Sequence, residues 1–145
     1  FELESNKKLC GRLDIPIRAV ECSDGANWNA AEFIRRDACD IMGTSTHYKG
    51  GFTGGMKVGQ VTEAFGMKEE VHGGGHNNLH LCLALPNNTY YEDLVIDVED
   101  IEAKGQGQLK FENGMYSFKE QVAGVGIEYD HDELETISIQ KYEKF

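Results

Sequence analysis

Carboxylates, imidazoles and a hydroxyl recur along the first 92 residues: Glu2 or Glu4, then Glu21, Ser45 with His47, His72, and Glu92. Each stands at the end of a short apolar run. A carboxylate so placed can hold a hard divalent cation or trade a proton, an imidazole can carry a proton near neutral pH, and a hydroxyl can orient the imidazole. One such group after nearly every apolar run is more than composition predicts. His72, His76 and His80 also recur every fourth residue, a spacing that puts zinc ligands on one face of a helix. Gly73-Gly74-Gly75 breaks any helix between the first two, and no Glu completes an HExxH pattern. The thiols lie far off in sequence, so His76 and His80 read as helix-cap and packing residues.

Ten of the 17 glycines fall between Gly43 and Gly75. The run Gly50-Gly51-Phe52-Thr53-Gly54-Gly55 fits neither a dinucleotide fingerprint nor a phosphate loop, so these glycines are expected to shape a pocket floor where backbone approaches a ligand.

The elements that must position these groups alternate between short apolar runs and helical patterns, which is how a parallel α/β sheet is written. Phe1 to Glu4 reads as a strand end, and Ser5 as the cap of a helix through Leu13. Ile15 to Glu21 reads as a buried strand ending on a carboxylate. Asn29 caps Ala30 to Asp37, with Ala30, Phe33 and Ile34 on one face. Asp40 to Met42 is the next strand. A helix follows from Thr53 to Phe65, with Met56, Val61 and Phe65 inward and Gly66 as its stop. Glu69 to His72 is a strand, Leu79 to Leu85 a helix closed by Pro86, and Tyr90 to Leu94 the last strand of the series. At roughly 30 residues per βα unit, four to five units fit, about half of a (β/α)8 barrel. From Ile96 on the alternation stops, and Glu112-Asn113-Gly114 and Gly124-Val125-Gly126 read as hairpin-like turns. The division is therefore 1–95 and 96–145. In parallel α/β folds functional groups collect at the C-terminal strand ends, where the residues above lie.

The chain has 145 residues and a net charge of -11, from 25 acidic and 14 basic side chains. That surface repels phosphate backbones and anionic lipid, which argues against nucleic acid and membrane partners. No apolar run approaches the roughly 20 residues of a membrane span. Residues 92–145 carry 14 acidic and 5 basic groups, interleaved with Ile, Val, Leu and Tyr as on a solvated face of folded structure. Cys10, Cys22, Cys39 and Cys82 form no CxxC pair, which suits reduced thiols and a cytoplasmic location. Asn87-Asn88-Thr89 is a formal glycosylation acceptor that has no secretory signal to accompany it. The opening on Phe1 implies a fragment or a processed product. Half a barrel would expose two strand edges and a bare apolar interior, so something must complete it.

The order of strand-end groups resembles the barrel domain of the enolase superfamily, specifically the mandelate racemase subgroup with its acid-sugar dehydratases. Tyr48-Lys49-Gly50-Gly51-Phe52-Thr53-Gly54 is similar to the family's K-x-G-G-x-T-G turn after the sixth strand. Phe65-Gly66 through His72 is similar to its seventh strand, which ends in a catalytic histidine. Glu92 falls where the subgroup places an acid on the eighth strand. Gly124-Val125-Gly126-Ile127-Glu128 is similar to its closing P-G-x-G motif, with Ala123 in place of the proline. The resemblance implies part of a TIM-type barrel from the fourth strand onward, with a C-terminal segment returning to a capping domain.

The chemistry so implied is removal of the proton α to a carboxylate, with an enediolate stabilised by Mg2+ held by carboxylates of the third to fifth strands. By resemblance Glu21 is the fifth-strand ligand, and Glu2, or alternatively Glu4, the fourth-strand one. The third-strand ligand and a second-strand lysine base would precede Phe1. His72 becomes the acid or base on one face of the substrate. Glu92 becomes the donor to the carboxylate oxygen. Ser45 stands where the family pairs its histidine with Asp, and a hydroxyl stabilises imidazolium less than a carboxylate does, leaving His72 to act as an acid or to draw on His47. The function implied is dehydration of a small carboxylate substrate, a sugar acid. Racemisation or epimerisation of a 2-hydroxy acid is the near alternative, and a non-catalytic barrel fragment acting as a binding module the distant one. The resemblance also implies a homo-oligomer.

Overall fold

The computed structural model describes residues 2–93, 109–119, 123–127, 132, 135 and 136. The chain divides into two compact units, Phe1–Val95 and Ile96–Phe145. In the first, helix α1 (Leu3–Cys10) precedes four strands, β1 (Arg18–Ala19), β2 (Ile41–Thr44), β3 (Lys68–Val71) and β4 (Asn88–Tyr91). Helices α2 (Ala30–Arg35), α3 (Gly51–Ala64) and α4 (His76–Ala84) connect them in turn. The sheet order is β1-β2-β3-β4 and every pairing is parallel. This is the βα repeat of a partial barrel.

Alternation along the strands sorts their side chains between two faces. The register sets Arg18 beside Ile41, Ala19 beside Met42 beside Glu69, and Gly43 beside Glu70. Ala19, Met42 and Val71 face the helices, where they join Phe33, Ile34 and Val58 in one cluster and Leu81, Cys82 and Leu85 in another. Ala30, Phe33 and Ile34 are the buried stripe of α2, as their spacing dictates. The opposite, inner face carries Arg18, Gly43 and Glu70. It is charged, not the bare apolar interior expected of half a barrel.

The remaining differences have local causes. Leu3 and Glu4 lie in the first turn of α1, with Glu2 at its N-cap, so residues 2–4 are not a strand end. The segment has no β-branched residue, and Lys7 and Lys8 sit in its last turn, where the helix dipole favours cations. It ends at Cys10, before Leu13. β1 pairs over two residues only, because Pro16 brings no N–H, Ile15 is exposed, and Val20 turns out of the strand at φ 91. Phe65 is the C-cap of α3 and is 58% exposed, so it does not face inward. Gly66 does stop that helix, at φ 69. α4 begins at His76, three residues earlier than its apolar pattern indicates, and ends at Ala84.

In the second unit β5 (Leu109–Glu112) and β6 (Met115–Phe118) form an antiparallel hairpin. Asn113 and Gly114 both take positive φ, as a two-residue hairpin turn requires. Gly124 and Gly126 do so as well. Phe1, Leu94, Ile96 and Glu128 lie outside the described residues. Among those described, no helix is long and apolar enough to cross a membrane.

Candidate active site

Glu21 follows β1 after a single residue, Val20. Its Oε1 accepts an ion pair from Arg18, three residues earlier, at 3.0 Å. The same guanidinium reaches β3, 3.1 Å from Glu70 Oε2 and 3.3 Å from the Glu70 carbonyl. Between β1 and β3 lies β2, whose inner position at this level is Gly43. A Cβ there would collide with Glu21 Oε2 and come within 3.0 Å of the Ala19 carbonyl. Glycine at this position is therefore what lets the Glu21 carboxylate lie across β2. Arg18, Glu70, Val71, Tyr90 and Glu92 line a cavity of about 270 Å³ on this inner side.

His72 follows β3, its N–H donating to the Thr44 carbonyl at 2.7 Å. Its Nδ1 lies 2.9 Å from Oε2 of Glu92, beyond the end of β4. That oxygen also accepts the Gly73 N–H at 2.7 Å. An ionised carboxylate only accepts, so Nδ1–H is the donor that suits this contact, and Nε2 is the ring nitrogen Glu92 does not engage. Tyr48 stacks beside the imidazole, ring centroids 6.3 Å apart and planes inclined by 26°. The ligand atoms of Glu21, Cys22 and His72 all lie within 4.8 Å of one another.

The loops that carry these groups are riveted by buried polar side chains. Asn78 of α4 accepts the Thr46 N–H and hydroxyl through Oδ1 at 3.0 and 2.8 Å. Its Nδ2 donates to the carbonyls of His72 and Gly73 at 2.8 and 3.0 Å, which joins the loop after β2 to that after β3. Lys49 is fully buried and donates to the Ser23 carbonyl at 3.1 Å and to Asn29 Oδ1 at 3.4 Å, joining the loops after β1 and β2. Burial pulls its ammonium below the ordinary lysine value, and the charges of Glu21, Cys22 and Asp24 oppose this. Gly54 admits the Lys49 carbonyl where any side chain would strike it.

The structure thus brings together Glu21, His72 and Glu92 and differs from two readings. Ser45 is buried and does not partner His72. Its hydroxyl accepts the His47 N–H at 3.2 Å and lies 3.4 Å from His47 Nδ1. The carboxylate beside His72 is Glu92, which follows β4 and whose Oε2 meets both His72 Nδ1 and the Gly73 N–H. Glu2 and Glu4 stand apart from Glu21: Glu2 accepts from Ser5 at 3.0 Å, and Glu4 pairs with Arg36 at 2.8 Å. Neither belongs to the group around Glu21. His76 is buried at the start of α4 and His80 packs edge-on to Phe52, so the regular histidine spacing makes no cluster with His72.

Sequence reasoning passed over Arg18, Cys22, Glu70 and Asn78. The signal for Arg18 was its position inside an otherwise apolar run. A larger cleft of about 460 Å³ is lined by Cys10, Cys39 and Asp40, at the opposite strand ends, and the buried Cys39 thiol there is pushed up to about 12. A thiol so protonated is inert.

A family model described as enolase C-terminal domain-like matches residues 2–133. The chain belongs to that family. Among solved structures it is similar to D-glucarate dehydratase from Agrobacterium tumefaciens complexed with magnesium, at 30% identity and a TM-score of 0.78, over 92% of this chain and 36% of that one. A racemase from Streptomyces coelicolor with bound magnesium shares the fold at 19% identity and a TM-score of 0.79, over 94% and 36% of the two chains. So does the 3,6-anhydro-D-galactonate cycloisomerase from Zobellia galactanivorans, at 22% and 0.75, over 93% and 39%. The chain therefore spans little more than a third of the length of these relatives. No curated protein sequence matches it. Members of the enolase superfamily use magnesium. Glu21 fits that ion as one ligand: Oε2 takes no partner among the described residues, and Mg2+ is held by one or two carboxylates with its remaining sites on water or substrate.

Proposed function

We propose that the protein containing this chain is a magnesium-dependent dehydratase of a sugar acid, abstracting the proton α to the substrate carboxylate. The observation that carries this reading is the His72–Glu92 pair, 2.9 Å apart, beside the Glu21 carboxylate. Glu92 fixes the imidazole tautomer and stabilises the imidazolium formed when Nε2 takes a proton, as the acid partner of any histidine base does. Glu21 would hold the magnesium, whose positive charge stabilises negative charge developing on the substrate carboxylate. Once protonated, His72 can return its proton to a departing β-hydroxyl. Tyr48 shields one side of the ring. The 30% identity to a glucarate dehydratase supports dehydration over racemisation, the more distant racemase being informative about fold alone.

The test is a screen of sugar acids in D2O with and without magnesium. The expected result is a magnesium-dependent 2-keto-3-deoxy product, slowed in His72→Asn by about 10²- to 10⁴-fold, the usual worth of a general acid or base. Solvent exchange at the α-carbon without loss of water would transfer the assignment to a racemase or epimerase. Turnover undiminished in His72→Asn would overturn it.

A further inference from the structure

We propose that Glu21, Cys22 and His72 form a binding site for a zinc-class cation, which competes for Glu21 and takes His72 out of use. Glu21 and Cys22 come from the end of β1 and His72 from the end of β3, and the missing side chain of Gly43 opens the space between. Their ligand atoms lie within 4.8 Å of one another. Zinc sits about 2.0–2.3 Å from each donor, so the three need draw in by only about an ångström. Cys22 is exposed and its thiol is free, so a rotamer change suffices.

The donor chemistry discriminates between ions. A thiolate and an imidazole are poor ligands for magnesium and good ones for zinc, cobalt or a similar borderline cation. Each residue also keeps a donor atom that no other described contact takes. Arg18 engages Oε1 of Glu21 and leaves Oε2. Glu92 engages Nδ1 of His72 and leaves the Nε2 lone pair. A carboxylate on the far nitrogen is the outer-shell arrangement that orients metal-binding histidines. Binding releases the Cys22 thiol proton to solvent and leaves a fourth position for water. The inhibitory consequence rests on the function proposed above, because one Nε2 lone pair cannot both ligate a metal and accept a substrate proton. Cation binding does not rest on it.

The experiment uses the reduced protein in excess magnesium, titrated with Co2+ as a spectroscopic probe and then with Zn2+. A thiolate-to-cobalt charge-transfer band in the near ultraviolet, displaced by one equivalent of zinc, is expected. Cys22→Ser, a near-isosteric change at an exposed site, should abolish the band and weaken zinc by at least about tenfold. Glu92→Gln should keep the band and weaken zinc by about tenfold, as loss of an outer-shell partner does. Cobalt bound without the band, a band that persists in Cys22→Ser, or equal zinc affinity in that variant would overturn the site. Magnesium-dependent α-proton exchange, followed in parallel, separates the two readings. Exchange without the band sinks the zinc site alone, and the band without exchange sinks the dehydratase reading alone. Exchange that continues with zinc bound overturns the competition.

Discussion

Glu69 and Glu70 are adjacent in β3 and point to opposite faces of the sheet. Glu70, on the inner face, is paired with Arg18 at 3.1 Å and keeps 28% of its side-chain surface in water. Glu69, on the outer face, is fully buried between α3 and α4, and neither of its oxygens has a hydrogen-bond partner. Desolvation pushes its carboxyl up to about 8; the nearby Asn87 amide opposes this, though it donates to the Gly59 and Met67 carbonyls. The inner face collects charge and holds it in pairs that water still reaches. The outer face is the apolar layer that holds the unit together and neutralises what charge it receives. The same sheet thus separates chemistry from stability, and substitutions on its two faces should fail in different ways.

The largest effect on stability is expected from the outer layer. Leu81 is fully buried in α4, in a cluster with Val71, Cys82 and Leu85. Leu81→Ala should cost about 2–5 kcal/mol, the range for a buried leucine that leaves a cavity. Denaturant unfolding would measure it, and a loss under about 1 kcal/mol would mean that the layer is not the stabilising one.

How much of this was legible in the sequence follows from the range of the interactions involved. The stripe Ala30, Phe33 and Ile34, the Gly66 stop and the Asn113-Gly114 turn are set by neighbouring residues, and all were readable. So was the placing of Glu21, His72 and Glu92 at strand ends, because short apolar runs alternating with helical patterns locate those ends. The partner of His72 was not readable. Ser45 and Glu92 both follow neighbouring strands, and only the way the loops after β3 and β4 fold back decides between them. The shortness of β1 depends on the backbone at Val20, which a β-branched residue gives no reason to expect. Two successive carboxylates in a buried strand did carry a signal, since alternation forces one of them toward the helices.

A smaller effect, with a distinctive pH dependence, is expected at Glu69. Its folded value of about 8 lies above the ordinary 4.5. The folded state therefore holds a proton that the unfolded state has lost. The stability contributed is fully present below about 4.5 and is lost as pH rises through about 8. Glu69→Gln removes the ionisation and keeps the shape. It should match the parent near pH 5 and exceed it by a few kcal/mol near pH 9, the linkage free energy of a carboxyl raised from 4.5 to about 8. Unfolding curves that stay parallel across that range would show that Glu69 is not the buried carboxyl described.

The smallest effect on stability belongs to the neighbouring substitution, Glu70→Gln. An ion pair that water still reaches contributes about 0–1 kcal/mol, so the loss should stay near that range. Its consequence lies at the strand ends instead. Arg18 divides its guanidinium between Glu70 and Glu21. With Glu70 neutral, Arg18 is drawn more strongly to Glu21 and competes with any cation for that carboxylate. The thermal shift produced by a fixed concentration of divalent cation should therefore shrink in Glu70→Gln, and remain at its parental size in Glu69→Gln. Equal shifts in both variants would mean that the inner face does not govern the cation site, and the division of labour between the two faces would be lost.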